Sequence, residues 1–296
     1  MKIWATCAAL LVAACDGVTT SDLTVLLDAE DSITEGLDPG TEPENVVDGW
    51  TVRFSKYVMS IGDLRFERTA TSSALGSGEV TVVDLAALPA SGVELTRFEM
   101  VSVGRWDVFE YAVVRPSDGA RPHESVSGED FEAMIENGWT HLIEGTLESP
   151  SGQSCPPDEA CRPAPRLSFR FAASVETRFG PCQAEDGLAG VTITAGGGIA
   201  SITIHGDHVF FDRFPSGAEV VRRRAQWLAD ADTDGDDAVT PEELMAIDAA
   251  ALFPSATYDL AGAGIPIETA WDFVRAQLAT QGHFQGEGEC PWTLLP

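Results

Sequence analysis

Between residues 232 and 243 the chain reads Asp-Thr-Asp-Gly-Asp-Asp-Ala-Val-Thr-Pro-Glu-Glu, which crowds six carboxylates into one short segment. Carboxylates this close repel one another unless a cation lies among them. A hard dication such as Ca2+ takes about six to eight oxygens, and alternate side chains of a tight loop closed by a two-oxygen Glu supply such a set. Mg2+ suits the segment less well, since it demands near-ideal octahedral geometry and keeps its waters. A second constellation is built of imidazole. His205 and His208 sit in Thr203-Ile-His-Gly-Asp-His208, at the end of an alternating pattern, and His283 lies in Gly282-His-Phe-Gln-Gly-Glu-Gly-Glu-Cys290. Three histidines with Asp207, Asp212 or Glu287 beside them have the donors of a transition-metal site. The plainer alternative gives these histidines ordinary hydrogen bonds at a strand-to-helix corner.

The acidic segment resembles the EF-hand calcium loop across all twelve of its positions. The resemblance implies one Ca2+ site with Asp232, Asp234 and Asp236 at positions 1, 3 and 5, the Ala238 carbonyl at 7, Thr240 at 9 and Glu243 at 12. Val239 occupies the apolar position that enters a small β-bridge in that family. Pro241 and the following acids suit a helix start, where Pro has no amide proton to leave unpaired and negative charge meets the positive end of the dipole. Position 6, usually Gly, is Asp237, a residue type that tolerates positive φ better than most. EF-hands usually come in pairs; the nearby segment 259–270 has Asp259 and Gly264 at the matching positions but no further ligands.

These residues need elements to position them. From Trp50 to about Phe214 apolar residues alternate with polar ones, as in Val52/Phe54, Val58/Ser60, Val80/Val82, Leu167/Phe169/Phe171 and Ile202/Ile204. Alternation over short runs separated by Gly, Pro, Ser and Asp predicts antiparallel strands with one buried face, hence a mainly β fold, an antiparallel β-sandwich or else a barrel. One helix is expected at about Glu129 to Glu136. After Phe214 the period becomes helical, with stripes Ala218/Val221/Ala225/Leu228, Leu244/Ile247/Ala251 and Ile267/Trp271/Val274/Leu278. The expected organisation is a signal peptide over 1–14, an acidic tether over 15–48 around one strand at Leu23 to Leu27, a β-sandwich over 49–214, and a C-terminal helical segment over 215–296 carrying the EF-hand.

Lys2, the short apolar run Ile3 to Ala13 and the small residues before Cys15 resemble a bacterial lipoprotein signal. That resemblance implies cleavage after Ala14 and a lipid on Cys15, hence a cell-envelope protein anchored to a membrane and facing the periplasm or the surface. Four cysteines then remain, an even number that suits an oxidising compartment and allows three pairings. The short Pro-rich span between Cys155 and Cys161 favours a local disulfide, leaving Cys182 to pair with Cys290.

Against 47 acidic residues stand 18 Lys and Arg, a formal charge of −29, which excludes a non-specific nucleic-acid binder. The basic run Arg222-Arg-Arg224 reads as a set of partners for nearby acids. No nucleophile elbow, His-Glu-x-x-His helix or P-loop occurs, so the first reading is a non-enzymatic protein with one structural calcium. Two readings compete with it. One is a transition-metal protein or metal-dependent enzyme using His205, His208 and His283; the other is a surface module recognising a protein or glycan.

Overall fold

The computed structural model describes residues 19–214 and 220–296. The signal peptide, Cys15 with its expected lipid, and Ala218 lie outside the described residues. Strand outweighs helix, 42% against 18%, and the larger sheet is curled.

That sheet is organised by one long strand, Thr51–Arg68. Its first half pairs with His141–Glu148, its second half with Val108–Val113, and its other edge with Ser73–Asp84. Register shifts at Phe54/Lys56 and Gly62/Leu64, the second marked by Asp63 at φ +49°, bend the strand so that it serves both halves. Arg166–Ala173 and then Ala238–Val239 extend one side; Thr177–Phe179 and Trp292–Leu294 extend the other. In Arg166–Ala173 the expected alternation is realised, with Leu167, Phe169, Phe171 and Ala173 buried.

A smaller sheet runs in the order Gly282–Phe284, Gly198–Ile204, Thr20–Ala29, Val93–Ser102. Its inner rings meet those of the curled sheet: Phe284 lies 5.1 Å from Phe109, and Phe98 5.8 Å from Phe66. An all-antiparallel arrangement is not what forms, because Thr20–Ala29 runs parallel to Gly198–Ile204. Two short pairings at the edges of the larger sheet are parallel as well.

The expected acidic tether also needs correction. From Thr20 onward the segment is structural: Leu23, Val25 and Leu27 are buried in an inner strand, and Ile33, Leu37 and Val46 join the core. The alternation of that strand outweighs the polarity of its flanks, because each inward side chain finds an apolar neighbour.

The C-terminal helices are shorter than their stripes predict. The first begins only at Gln226, since Asp48 accepts from the backbone of Ala225 and Gln226 at 3.0–3.1 Å, while Arg223 bridges to Val46 and Phe211 in extended form. The second stripe is split between Pro241–Ala246 and Ala249–Leu252 by extended Ile247 and the Asp248 cap. The third is the helix Ala270–Leu278, capped by Thr269 and burying Val274 and Leu278. The helix expected near Glu129 spans Gly128–Asn137, with Ser127 as its cap.

Both expected disulfides form, Cys155–Cys161 and Cys182–Cys290. They are consistent with an extracytoplasmic location. Among the described residues no helix is long and apolar enough to cross a membrane.

Candidate metal centres

The acidic loop runs between the helices Gln226–Asp230 and Pro241–Ala246. Its carboxylates first organise their own backbone. Asp232 Oδ1 accepts from Gly235 N (2.9 Å), Asp234 Oδ1 from Asp236 N (3.2 Å) and Asp236 Oδ1 from Ala238 N (2.9 Å), a succession of turns that folds the chain back on itself. Asp237 holds φ +63°, the left-handed conformation in which EF-hands usually place Gly.

Ala238 and Val239 then pair in parallel with Ser168 and Phe169, and Asp237 O accepts from Ser168 N at 2.9 Å. The strand Arg166–Ala173 is thus the pairing partner of the loop. Segment 259–270 does not take that place. Asp259 N donates to Asp212 O, its Oδ1 accepts from Ala261 N, and Gly264 packs under the Trp292 ring.

Asp232, Asp234 and Glu243 each offer an oxygen within 4.8 Å of the others. Asp236 stands outside this group, engaged with Ala238 N, and Thr240 caps the following helix. Glu243 Oε2 accepts from Thr240 N at 2.9 Å, while Oε1 accepts from Thr233 N at 3.0 Å, tying the end of the loop to its beginning. Asp232 is fully buried, and its Oδ2 has no hydrogen bond although Arg162 Nη2 lies 3.0 Å away as an ion-pair partner. Arg162 also donates to the Asp232 carbonyl. The Asp234 carboxyl is held above its usual range by desolvation first and then by the charges of Asp236, Glu243 and Asp232.

The second centre lies where the smaller sheet meets the C-terminal helices. His205 follows the strand Gly198–Ile204, and His208 sits one short helical turn later in Gly206–Phe210. His283 is brought alongside by the pairing of Gly282–Phe284 with that same strand, in which it faces Thr203. Two glycines permit this packing. A Cβ on Gly206 would lie 2.6 Å from Ile33 Cγ1, and one on Gly282 would lie 2.3 Å from Tyr111 Oη and 2.6 Å from the Phe179 ring.

All three imidazoles offer a ring nitrogen within 4.8 Å of the other two. His208 Nε2 and His283 Nε2 are 3.2 Å apart, and the His205 and His283 ring centroids are 4.0 Å apart. His208 Nδ1 lies 2.8 Å from Thr280 Oγ1, and that hydroxyl donates to Gln277 O at 2.8 Å. His205 Nδ1 faces Glu30 Oε2 at 3.6 Å, while its Nε2 is buried without a partner.

Burial pushes His208 well below the ordinary histidine value, with His283, His205 and Arg223 adding to the effect. Burial first, and His205 second, take His283 down to about 3. Burial and the Asp207 charge raise Glu30, while His205 opposes them. Asp207 is buried with one oxygen on Arg223 (Nε at 2.6 Å) and the other, Oδ1, unpartnered.

Of the acids expected beside the histidines, Asp207 is present. Asp212 instead accepts from Arg222 N (3.2 Å) and Arg224 Nε (3.4 Å). Glu30 and Thr280 were not anticipated. Glu30 sits in the presumed tether, about 175 positions from His205 in the chain, and only the parallel pairing of Thr20–Ala29 with Gly198–Ile204 brings it there.

The chain matches no protein-family model, no curated protein and no solved structure. Geometry and chemistry therefore carry the functional assignment.

Proposed function

We propose that the protein binds one Ca2+ ion in the loop 232–243 and that the ion braces the C-terminal helices against the curled sheet. The observation that carries this reading is the convergence of Asp232, Asp234 and Glu243 in a loop whose sixth position is left-handed and whose seventh and eighth are bridged to a strand. The donor set fits the ion, since all its members are oxygens and buried Asp232 Oδ2 makes an ion pair with Arg162 but no hydrogen bond. Asp232, Asp234, Asp236 and Glu243 would hold the ion through carboxylates, with the Ala238 carbonyl and Thr240 completing positions 7 and 9.

A bracing role suits the surroundings better than a switch. Val239 is buried, the loop is stapled to Ser168 and Phe169, and Met245 is the sole methionine of the adjoining helices, where a sensor exposes a Met-rich groove. In this reading the two β layers act as a sandwich-like support, and lipid on Cys15 anchors the protein to a bacterial envelope membrane. No catalytic role is assigned.

Calcium titration by calorimetry and thermal melting, beside an Asp232→Ala/Glu243→Ala double variant, tests the reading. One-site saturable binding with a raised melting temperature, both lost in the variant, is the expected result. Absence of binding at millimolar calcium overturns it.

A further inference from the structure

The histidine centre is independent of the calcium loop and has features that hydrogen bonding alone leaves unexplained. Three imidazoles from two distant segments converge in the interior, with His205 and His208 each 4% exposed. Buried polar atoms are almost always partnered, yet His205 Nε2 and Asp207 Oδ1 are not. The hydrogen bonds that do exist indicate which nitrogens are free. Because the Thr280 hydroxyl donates to Gln277 O, it accepts from His208 Nδ1–H, and His208 Nε2 is left with its lone pair. His205 Nδ1 faces the Glu30 carboxylate at 3.6 Å, an ion contact longer than a hydrogen bond, and its buried Nε2 has no partner. Glu30 is itself held, accepting from Ser32 Oγ, while its backbone N donates to Ile204 O at 3.1 Å.

We propose that His205, His208 and His283 bind a first-row transition ion of the zinc and copper(II) class, with Glu30 and Thr280 as positioning residues that aim His205 and His208. Imidazole selects such ions over calcium and magnesium. In a tetrahedral site with metal–nitrogen bonds of about 2.0–2.1 Å, neighbouring ligand nitrogens stand about 3.3 Å apart, close to the 3.2 Å between His208 and His283. A carboxylate or hydroxyl on the second ring nitrogen is the usual outer support of a metal-bound histidine. Three protein ligands leave a four-coordinate ion one exchangeable position for water or a small ligand. Arg223 balances Asp207, so the charge of the incoming dication is met by Glu30.

The test titrates Zn2+, Cu2+ and Co2+ separately into the chelator-treated protein with calcium held saturating, so that the acidic loop is occupied. One equivalent is expected to bind, with a tetrahedral Co2+ visible spectrum and nitrogen couplings in the Cu2+ resonance. His208→Ala and His283→Gln are each expected to lose about 100-fold or more in affinity, and Glu30→Leu about 10–100-fold. Asp232→Ala/Glu243→Ala should retain the site, which separates failure of this proposal from failure of the calcium reading. Should a histidine variant not fold, ¹⁵N-histidine NMR of the unaltered protein must show three ring signals shifting on Zn2+ addition. No saturable binding at micromolar metal, or binding that survives both histidine substitutions, overturns the proposal.

Discussion

His283 Nε2 lies 3.2 Å from His208 Nε2, although 75 positions separate the two residues in the chain. Two neutral rings placed this way share one proton between facing nitrogens or share a cation. Burial disfavours further protonation of either ring, and that has a consequence for stability in acid.

An imidazole whose folded pKa lies below its unfolded value of about 6.5 binds fewer protons folded than unfolded between the two, so stability rises with pH across that interval. For His283 the interval runs from about 3 to the unfolded value, and His208 acts in the same direction. Glu30 opposes them, since its raised pKa gives stability that is lost as pH rises through it. Urea unfolding of the metal-free protein should therefore show a loss on the order of a few kcal/mol between pH 7 and pH 4.5. His283→Gln should show a smaller loss, and equal losses in the two proteins would count against the burial argument.

Arg162 places a guanidinium 3.0 Å from the first carboxylate of the acidic loop. Its charge competes with any cation at Asp232. Arg162→Gln keeps a donor for the Asp232 carbonyl but removes the charge, so calcium affinity should rise several-fold while the metal-free protein melts lower. Calorimetry giving unchanged or weaker calcium binding would show that Arg162 orders the loop rather than competing with the ion.

Asp237 pays a conformational cost at φ +63°. With the side chain exposed and not itself assigned as a ligand, Asp237→Gly should relieve up to about 1 kcal/mol. Gly also has more unfolded-state entropy to lose, which sets that upper bound. Thermal melting with and without calcium checks this. Destabilisation in both states would mean that the Asp237 side chain supports the loop in a way its backbone does not reveal.

The Cys182–Cys290 disulfide closes a separation of 108 positions behind the hairpin that carries His283. Replacing both cysteines by Ser should cost about 4–5 kcal/mol in the loop-entropy account. Zn2+ affinity should fall more than calcium affinity, because Cys290 lies in the same short C-terminal segment as His283, whereas the acidic loop is also held by its own pairing with Ser168 and Phe169. Equal losses at both sites would indicate global loosening instead.

The acidic loop could be read in the sequence because twelve consecutive residues contain it. Short-range bonds within it, Glu243 to Thr233 and Thr240 among them, bring Asp232, Asp234 and Glu243 together, and Asp237 takes a positive φ. The alternating strands and the Cys155–Cys161 pair were legible for similar reasons, since side-chain period and short spacing are local properties, and Cys182–Cys290 followed as the pair left over. Helix ends were less legible. The stripe through Val221 and Ala225 has helical spacing, yet Asp48 and the bridges of Arg223 keep residues before Gln226 extended. The partner of the acidic loop was decided by tertiary structure as well, because strand Arg166–Ala173 exposes an edge that Ala238 and Val239 complete.

Glu30 shows the same division most sharply. As a residue type in an acid-rich segment it is one of 47 acids and carries no signal. It becomes a neighbour of His205 because Leu23, Val25 and Leu27 must bury one face of their strand, and the parallel register Ala29 to Ile204 fixes where that strand ends. Local chemistry is written in residue order; the company a buried group keeps is set by the packing of apolar faces, which no short stretch of chain specifies.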